Sequence, residues 1–220
     1  MFTIMIGHKI KSVVVLHSKS TMKKIYPILL LLSIFLPAIH ARAQTRVKDY
    51  LSVPGPIAFD SIGYSLSWSS HPSDHYFKHE YLPQGDDPDR YKQMLLIEFV
   101  EGDLTAKDAV NAKASELKKL KETNPVVNYN VMENKGEYLL DFVISQNSAD
   151  GQKVLVLERN VYHYKQVSDA TGRKGVLLFG VSTRAYGNEI DTYFPYLKAH
   201  KDQMINTVAN YRMPAIRVVN

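Results

Sequence analysis

The strongest constraint on the fold lies in residues 126–186, where apolar, β-prone segments alternate with short polar turns. The turns read ENKGE, NSADGQ and DATGRKG. A parallel pair of strands needs a crossover of a dozen or more residues, whereas turns of this length are typical of antiparallel hairpins. The region is therefore predicted to form three or four consecutive strands of an antiparallel sheet.

Three more segments before this region are predicted to be strands. IAFDSIGYSLSWSS (57–70) is interpreted as two strands around Gly63, because Tyr64, Leu66 and Trp68 alternate with serines. YFKHEYLP (76–83) is β-prone, and QMLLIEFVEG (93–102) is apolar at successive positions, which predicts a central strand buried on both faces.

Two helices complete the expected fold. LTAKDAVNAKASELKKLKETNP (104–125) has apolar residues three and four apart, and Asn124-Pro125 is predicted to end this helix. A second helix is predicted from about Asp191 to Tyr211, with Pro195 in its first turn or at a kink. The order of elements predicts an α+β fold in which an antiparallel β-sheet is flanked by two helices.

The N-terminus predicts export. Met22-Lys23-Lys24 precedes an apolar run, residues 25–39, and Ala41 and Ala43 stand at the small-residue positions of an A-x-A exit. A basic start, a short apolar centre and this exit define a secretory signal peptide. Residues 1–43 are therefore interpreted as an upstream extension plus a signal peptide that starts at Met22, and the mature chain is expected to begin at Gln44.

This leader accounts for the basic charge of the whole chain. The chain has 27 basic and 22 acidic residues, a net charge of +5. Six of the basic residues and none of the acidic ones precede Gln44, which leaves 21 basic against 22 acidic residues in the expected mature chain. A charge near zero there argues against a nucleic-acid partner.

The chain contains no cysteine, so disulfides, a thiol nucleophile and cysteine-based metal sites are excluded. We expect a protein without a membrane anchor after cleavage, located in the periplasm or outside the cell. Residues 44–56 are interpreted as a lead-in, residues 57–212 as a single α+β domain and residues 213–220 as a tail.

Histidines at spacing four suggest a metal site near SSHPSDHYFKHEYLP. The candidate ligands are His71, Asp74, His75 and His79. Metal ligation needs such side chains to converge within a few ångströms, whereas on a strand His75 and His79 would stand roughly 13 Å apart. Exposed histidines in a loop that enters a strand are therefore the favoured interpretation and the metal site is the alternative, and the sequence predicts no other cofactor.

Tyrosine is abundant, with 14 residues in the chain. Tyr76 and Tyr81 flank the histidine segment, and Tyr162 and Tyr164 alternate with His163 in one predicted strand. Tyrosine offers a large contact area with a polar tip, so these four residues are candidates for a surface that binds an envelope protein or a glycan. Packing under the helices is the alternative.

Catalytic signatures are missing from the sequence. GVSTR lacks the second glycine of G-x-S-x-G, GDDPD departs from the spacing of a calcium loop, and no phosphate-binding glycine loop is present. No catalytic residue is therefore assigned. The predicted function is a cell-envelope binding or accessory module without a cofactor, and the alternative is a metal-dependent hydrolase that uses His71–His79.

Several local features resemble the PsbP/Mog1 family of α-β-α sandwiches. They are the aromatic strand GYSLSWS, the segment EYLPQGDDPDRYKQMLLIE and the terminal segment KDQMINTVANYRMP. The resemblance spans about residues 57–212. It implies a non-enzymatic binding or accessory module and transfers no catalytic residue.

Overall fold

The computed structural model describes residues 47–219, so the predicted signal peptide lies outside the described residues. Eight strands form one sheet in the order β1-β2-β3-β4-β8-β7-β6-β5, and all neighbouring strands are antiparallel. The strands are β1 (Ile57–Phe59), β2 (Ile62–Ser73), β3 (Tyr76–Pro83), β4 (Gln93–Glu101), β5 (Asn128–Asn134), β6 (Glu137–Asn147), β7 (Val154–Ser168) and β8 (Lys174–Tyr186). The helices are α1 (Ala106–Lys121), α2 (Ile190–Ala199) and α3 (Lys201–Asn210).

The prediction of consecutive hairpins between 126 and 186 is confirmed by β5, β6, β7 and β8, each of which pairs with the next. β4 is confirmed as a central strand, because it lies between β3 and β8. The first helix is also confirmed. Thr105 caps α1 by accepting a hydrogen bond from the backbone of Asp108, whose carboxylate accepts one from the backbone of Thr105.

The predicted architecture, a sheet flanked by two helices, is wrong. The fold is dominated by the eight-stranded sheet, and the three helices are short, with 16, 10 and 10 residues. α1 contacts mainly the part of the sheet formed by β5, β6 and β7. The sequence predicted seven or eight strands, but their pairing into one sheet that the helices cover only in part depends on residues distant in the chain.

The predicted C-terminal helix is interrupted. Between α2 and α3, His200 leaves the helical conformation, with φ −114° and ψ 18°. Pro195 lies past the first turn of α2, where a proline removes a backbone donor and crowds the preceding turn. Phe194, the residue before this proline, is 46% exposed.

A β-bulge moves Trp68 away from its expected neighbours. Leu66 pairs with Tyr81, but Trp68 pairs with Glu80, so one residue of register is lost between them. Because side chains alternate between the two faces of a strand, Trp68 points to the face opposite Tyr64 and Leu66. It is 45% exposed there.

Two core clusters lie on opposite faces of the sheet. The face that contacts α1, called the α1 face, includes Val176 and Leu178. The other, called the α3 face, includes Leu177 and Phe179 together with Val208 of α3. Within residues 47–219, no helix is long and apolar enough to cross a membrane.

Both ends of the described chain belong to the core on the α3 face. Leu51 and Val53 of the expected lead-in and Ile216 and Val218 of the expected tail are all buried. The two segments are joined directly, because the backbone N–H of Arg217 donates to the carbonyl of Leu51. These segments therefore stabilise the domain.

Asp169 anchors the C-terminal segment to the β7–β8 turn. Its carboxylate accepts hydrogen bonds from the backbones of Thr171, Arg173 and Val218 and from the Thr171 hydroxyl. Burial acts to raise the pKa of Asp169, but these bonds outweigh it and lower the pKa to about 2. The charged carboxylate is thus favoured in the folded state.

Replacing Asp169 by asparagine is expected to lower the free energy of unfolding by about 2 kcal/mol at pH 7, because an amide NH₂ cannot accept the bond from Val218. The lowered pKa stabilises the fold above the ordinary aspartate pKa, and this contribution is lost as the pH falls towards 2. Urea unfolding should therefore show a smaller difference between the two proteins at pH 2. An unchanged difference would contradict this role for the charge.

Candidate functional site

The structure does not gather the predicted metal ligands. His71 lies in β2 with its ring stacked on Phe77 at 4.3 Å between centroids. Asp74 and His75 are exposed in the turn between β2 and β3, and His75 is 3.9 Å from Glu101. Among residues 47–219, no group of three histidine, aspartate or glutamate side chains could hold a metal ion. The geometry offers no support for the metal prediction.

His79 is a buried structural residue with both ring nitrogens in hydrogen bonds. The backbone N–H of Tyr50 donates to Nε2 at 3.1 Å. The Tyr81 hydroxyl donates to the Val53 carbonyl, so it accepts from the N–H at Nδ1 of His79, 3.0 Å away. Burial lowers the pKa of His79, although the charge of Asp49 acts to raise it. The lowered pKa favours the neutral imidazole. A metal would have to break one of these bonds.

Three of the four candidate tyrosines lie together on the α1 face. The Tyr76 hydroxyl donates to Glu98 at 2.7 Å, and burial, followed by the charge of Glu98, raises the pKa of Tyr76, Tyr162 and Tyr164. Tyr81 is fully buried on the opposite face. The four residues therefore do not form one surface.

The exposed part of this tyrosine cluster is small. Tyr164 is only 4% exposed, whereas Tyr76 and Tyr162 are partly buried. Trp68 is the more exposed aromatic side chain on this face, with the Lys78 ammonium 5.7 Å from its ring centroid. Partner binding by the tyrosines stays a prediction, and packing accounts for most of their area.

A cleft on the α3 face has the form of a ligand site. It lies between α2, α3 and the ends of β4, β7 and β8 and has a volume of about 560 Å³, within the range of about 300–1,000 Å³ that is usual for small-molecule sites. We call it the α2–α3 cleft. Its principal lining side chains are Phe59, Gln93, Arg159, Thr183, Tyr193, Tyr196, His200, Gln203, Met204 and Thr207.

Arg159 provides a buried cation at the cleft. Its Nε donates to Asp141 at 2.8 Å, and an Nη donates to the carbonyl of Lys201 at 2.8 Å. The side chains of Arg159 and Asp141 are 5% and 9% exposed. These bonds connect β6, β7 and the start of α3, and they use two of the five N–H groups of a guanidinium. Within residues 47–219 the other N–H groups of Arg159 have no hydrogen-bond partner, so they could donate to a ligand in the cleft.

Aromatic side chains of α2 form one wall of the cleft. The ring of Tyr196 stacks on His200 at 4.2 Å and lies 6.3 Å from the ring of Tyr193, nearly parallel to it. Tyr196 is 53% exposed. The Tyr193 hydroxyl shares a hydrogen bond with the hydroxyl of Thr183. Burial raises the pKa of Tyr193 to about 12, although the Thr183 bond and the charge of Arg159 act to lower it, so the hydroxyl is protonated at neutral pH.

Salt bridges neutralise the other cations around the cleft. Lys92 pairs with Glu189 at the rim, and Arg184 pairs with Glu158. Glu158 and Arg159 are neighbours in β7, so their side chains point to opposite faces of the sheet. Each therefore pairs with a residue of an adjacent strand, Glu158 with Arg184 of β8 and Arg159 with Asp141 of β6. Among the residues that line the cleft, each lysine and arginine therefore has a carboxylate partner.

Sequence reasoning missed the link between Arg159 and Asp141, and a signal for it was present. Each charged residue interrupts an apolar strand, in YLLDFVI and in VLVLERNV, and these strands are joined by one short turn. Charged residues are seldom buried without a partner. Two opposite charges on hairpin-linked apolar strands therefore predict a buried cross-strand pair. The contribution of α2 and α3 could not be predicted in this way.

The fold and cleft describe a sheet-dominated protein with a ligand-sized cleft on one face. A protein-family model matches residues 51–213, and the chain belongs to that family. The description of the family specifies no activity, ligand or partner, and nothing in the match links the chain to PsbP or Mog1. No curated protein and no solved structure matches the chain.

Proposed function

We propose that this protein is an exported binding or accessory module of the cell envelope and that its ligand site is the α2–α3 cleft. The observation that carries the proposal is the buried Arg159, held by Asp141 and the Lys201 carbonyl beside an aromatic wall. Holding a charge in place below the surface is costly unless its bonds are satisfied, and a preorganised donor at a cleft is typical of a binding site.

Noncovalent binding suits these side chains better than catalysis. The cleft combines cations that are paired with carboxylates, hydroxyl groups, aromatic rings and the imidazole of His200. The bond between Tyr193 and Thr183 holds two neutral hydroxyl groups in place, which suits recognition of a polar ligand. The leader that motivates export lies outside the described residues, so cleavage before Gln44 is part of the proposal.

Native mass spectrometry of the protein purified from its own cells tests this function. We expect a chain that begins at Gln44 and retains a small ligand. Gln203→Trp, which places a bulky side chain in the cleft, should abolish retention, whereas Asp202→Trp, at the adjacent exposed position outside the cleft lining, should not.

Two results would count against the proposal. If the wild-type chain retains no ligand, the proposed binding function of the cleft is contradicted. If Gln203→Trp retains the ligand as well as the wild type does, the ligand binds outside the cleft. Circular dichroism of both variants checks that their folds are intact. The mass of the N-terminal fragment reports cleavage separately from binding.

A further inference from the structure

The chemistry of the α2–α3 cleft points to a class of ligand. Its ionic groups offer little attraction to an anion, because Arg159, Lys92 and Arg184 are each paired with a carboxylate. Asp60 is an additional acidic residue in the lining, and it is exposed. A strongly anionic ligand would have to displace one of these carboxylates, so the cleft favours a ligand without net charge.

Hydrogen-bonding groups of both kinds converge on the cleft. His200 donates from Nδ1 to the carbonyl of Tyr196 at 2.9 Å, which leaves Nε2 as a second polar atom of the ring for a ligand. The Thr207 hydroxyl donates to the carbonyl of Gln203 and therefore also presents lone pairs. Gln93 supplies a side-chain amide and Arg159 supplies N–H donors. A ligand that matches this set must donate and accept at several points.

The aromatic wall adds an apolar requirement. The cleft is lined by Tyr193 and Tyr196 of α2 and also by Phe59 and Met204. A matching ligand therefore carries hydroxyl groups around its edge and C–H groups on its faces. Aromatic rings contact such C–H faces, while hydroxyl groups both donate and accept hydrogen bonds. Sugar rings have this arrangement.

We infer that the α2–α3 cleft binds a neutral saccharide, an inference that rests on the proposed binding function. A purely apolar ligand would leave Gln93, Gln203 and the His200 Nε2 without partners on the ligand, which is costly once the ligand covers these groups. A phosphate-bearing ligand would lack an unpaired cation among the lining lysines and arginines. A saccharide satisfies the polar groups and the aromatic wall together.

Saturation-transfer NMR and calorimetry with three neutral trisaccharides, N,N′,N″-triacetylchitotriose, cellotriose and maltotriose, test the inference. We expect at least one to bind the wild-type protein, and Tyr196→Ala to weaken that binding at least about tenfold. Phe194→Ala is the matched control, because Phe194 is an aromatic residue of α2 with similar exposure, 46% against 53% for Tyr196, and it lies outside the cleft lining. The affinity of the Phe194→Ala variant for the same trisaccharide should stay within about twofold of the wild-type affinity.

Two outcomes overturn the inference. One is that none of the three trisaccharides binds, and the other is that Phe194→Ala weakens binding as much as Tyr196→Ala. Native mass spectrometry separates this failure from failure of the proposed function. A retained native ligand that Gln203→Trp removes would keep the cleft as the binding site while excluding the neutral saccharide class.

Discussion

Replacing Arg159 by leucine is expected to lower the free energy of unfolding by about 3–5 kcal/mol, measured by urea denaturation at pH 7. The substitution leaves the Asp141 carboxylate, 9% exposed, without its cationic partner. It also removes the donor to the Lys201 carbonyl. An uncompensated buried charge is among the largest single-residue costs in a folded protein.

The double variant Arg159→Leu/Asp141→Leu is the control. It removes both charges, so it should be more stable than Arg159→Leu by at least about 2 kcal/mol, because replacing a whole buried pair by apolar residues is often tolerated. If the double variant were less stable than the single one, apolar packing or the bond to Lys201 would account for the loss, and the pairing with Asp141 would not.

The second large effect is expected at Gly175 in the central strand β8. A Cβ atom there would meet the Val100 carbonyl oxygen at less than contact distance and the ring of Phe99 at 2.8 Å. The oxygen belongs to the backbone of β4 and cannot rotate away. Gly175→Ala is therefore expected to lower the free energy of unfolding by about 3 kcal/mol, the upper part of the range for overpacking.

Gly63→Ala is the matched control for Gly175→Ala. Gly63 also lies in a strand, but a Cβ atom would meet only the Pro56 side chain, at 3.8 Å. The free energy of unfolding of Gly63→Ala should differ from that of the wild type by about 0.5 kcal/mol or less. Equal losses for the two alanine variants in urea denaturation would show that strand propensity, rather than close contact between β8 and β4, explains the effect.

The parts of the fold that sequence predicts well are those set by neighbouring residues. The hairpins around Gly136 and Gly151 depend on short turns, and α1 depends on its cap at Thr105 and its apolar stripe. Each is determined within about 20 residues of chain. Local patterns of this kind carry most of the available signal.

Other parts depend on distant contacts and could not be predicted. The bulge at Trp68 is set by pairing with β3. The break at His200 lies between α2, which contacts β8, and α3, which also contacts β6 and β7. His79 has the residue type of a metal ligand, yet the contact with Tyr50, 29 positions earlier in the chain, makes it a structural residue. Spacing in sequence could not distinguish these alternatives.

The candidate site was the least predictable part of the molecule. The sequence drew attention to His71–His79 and the tyrosines, whereas the cleft combines β4, β7 and β8 with a helix pair that was expected to be one helix. Arg159 lies 42 positions from the Lys201 carbonyl to which it donates. Such a site becomes visible only when the register of the sheet and the path of α2 and α3 are known.

Hydrogen–deuterium exchange tests most directly the central claim that the α2–α3 cleft binds a ligand. The comparison is between the protein as purified from its own cells and the same protein after it has been unfolded in urea, dialysed and refolded. If a ligand occupies the α2–α3 cleft, amides of residues 181–185 and 190–210 should exchange more slowly before the ligand is removed. Equal exchange there, with differences instead in residues 66–80 around Trp68 and Tyr76, would contradict the assignment and place binding on the α1 face.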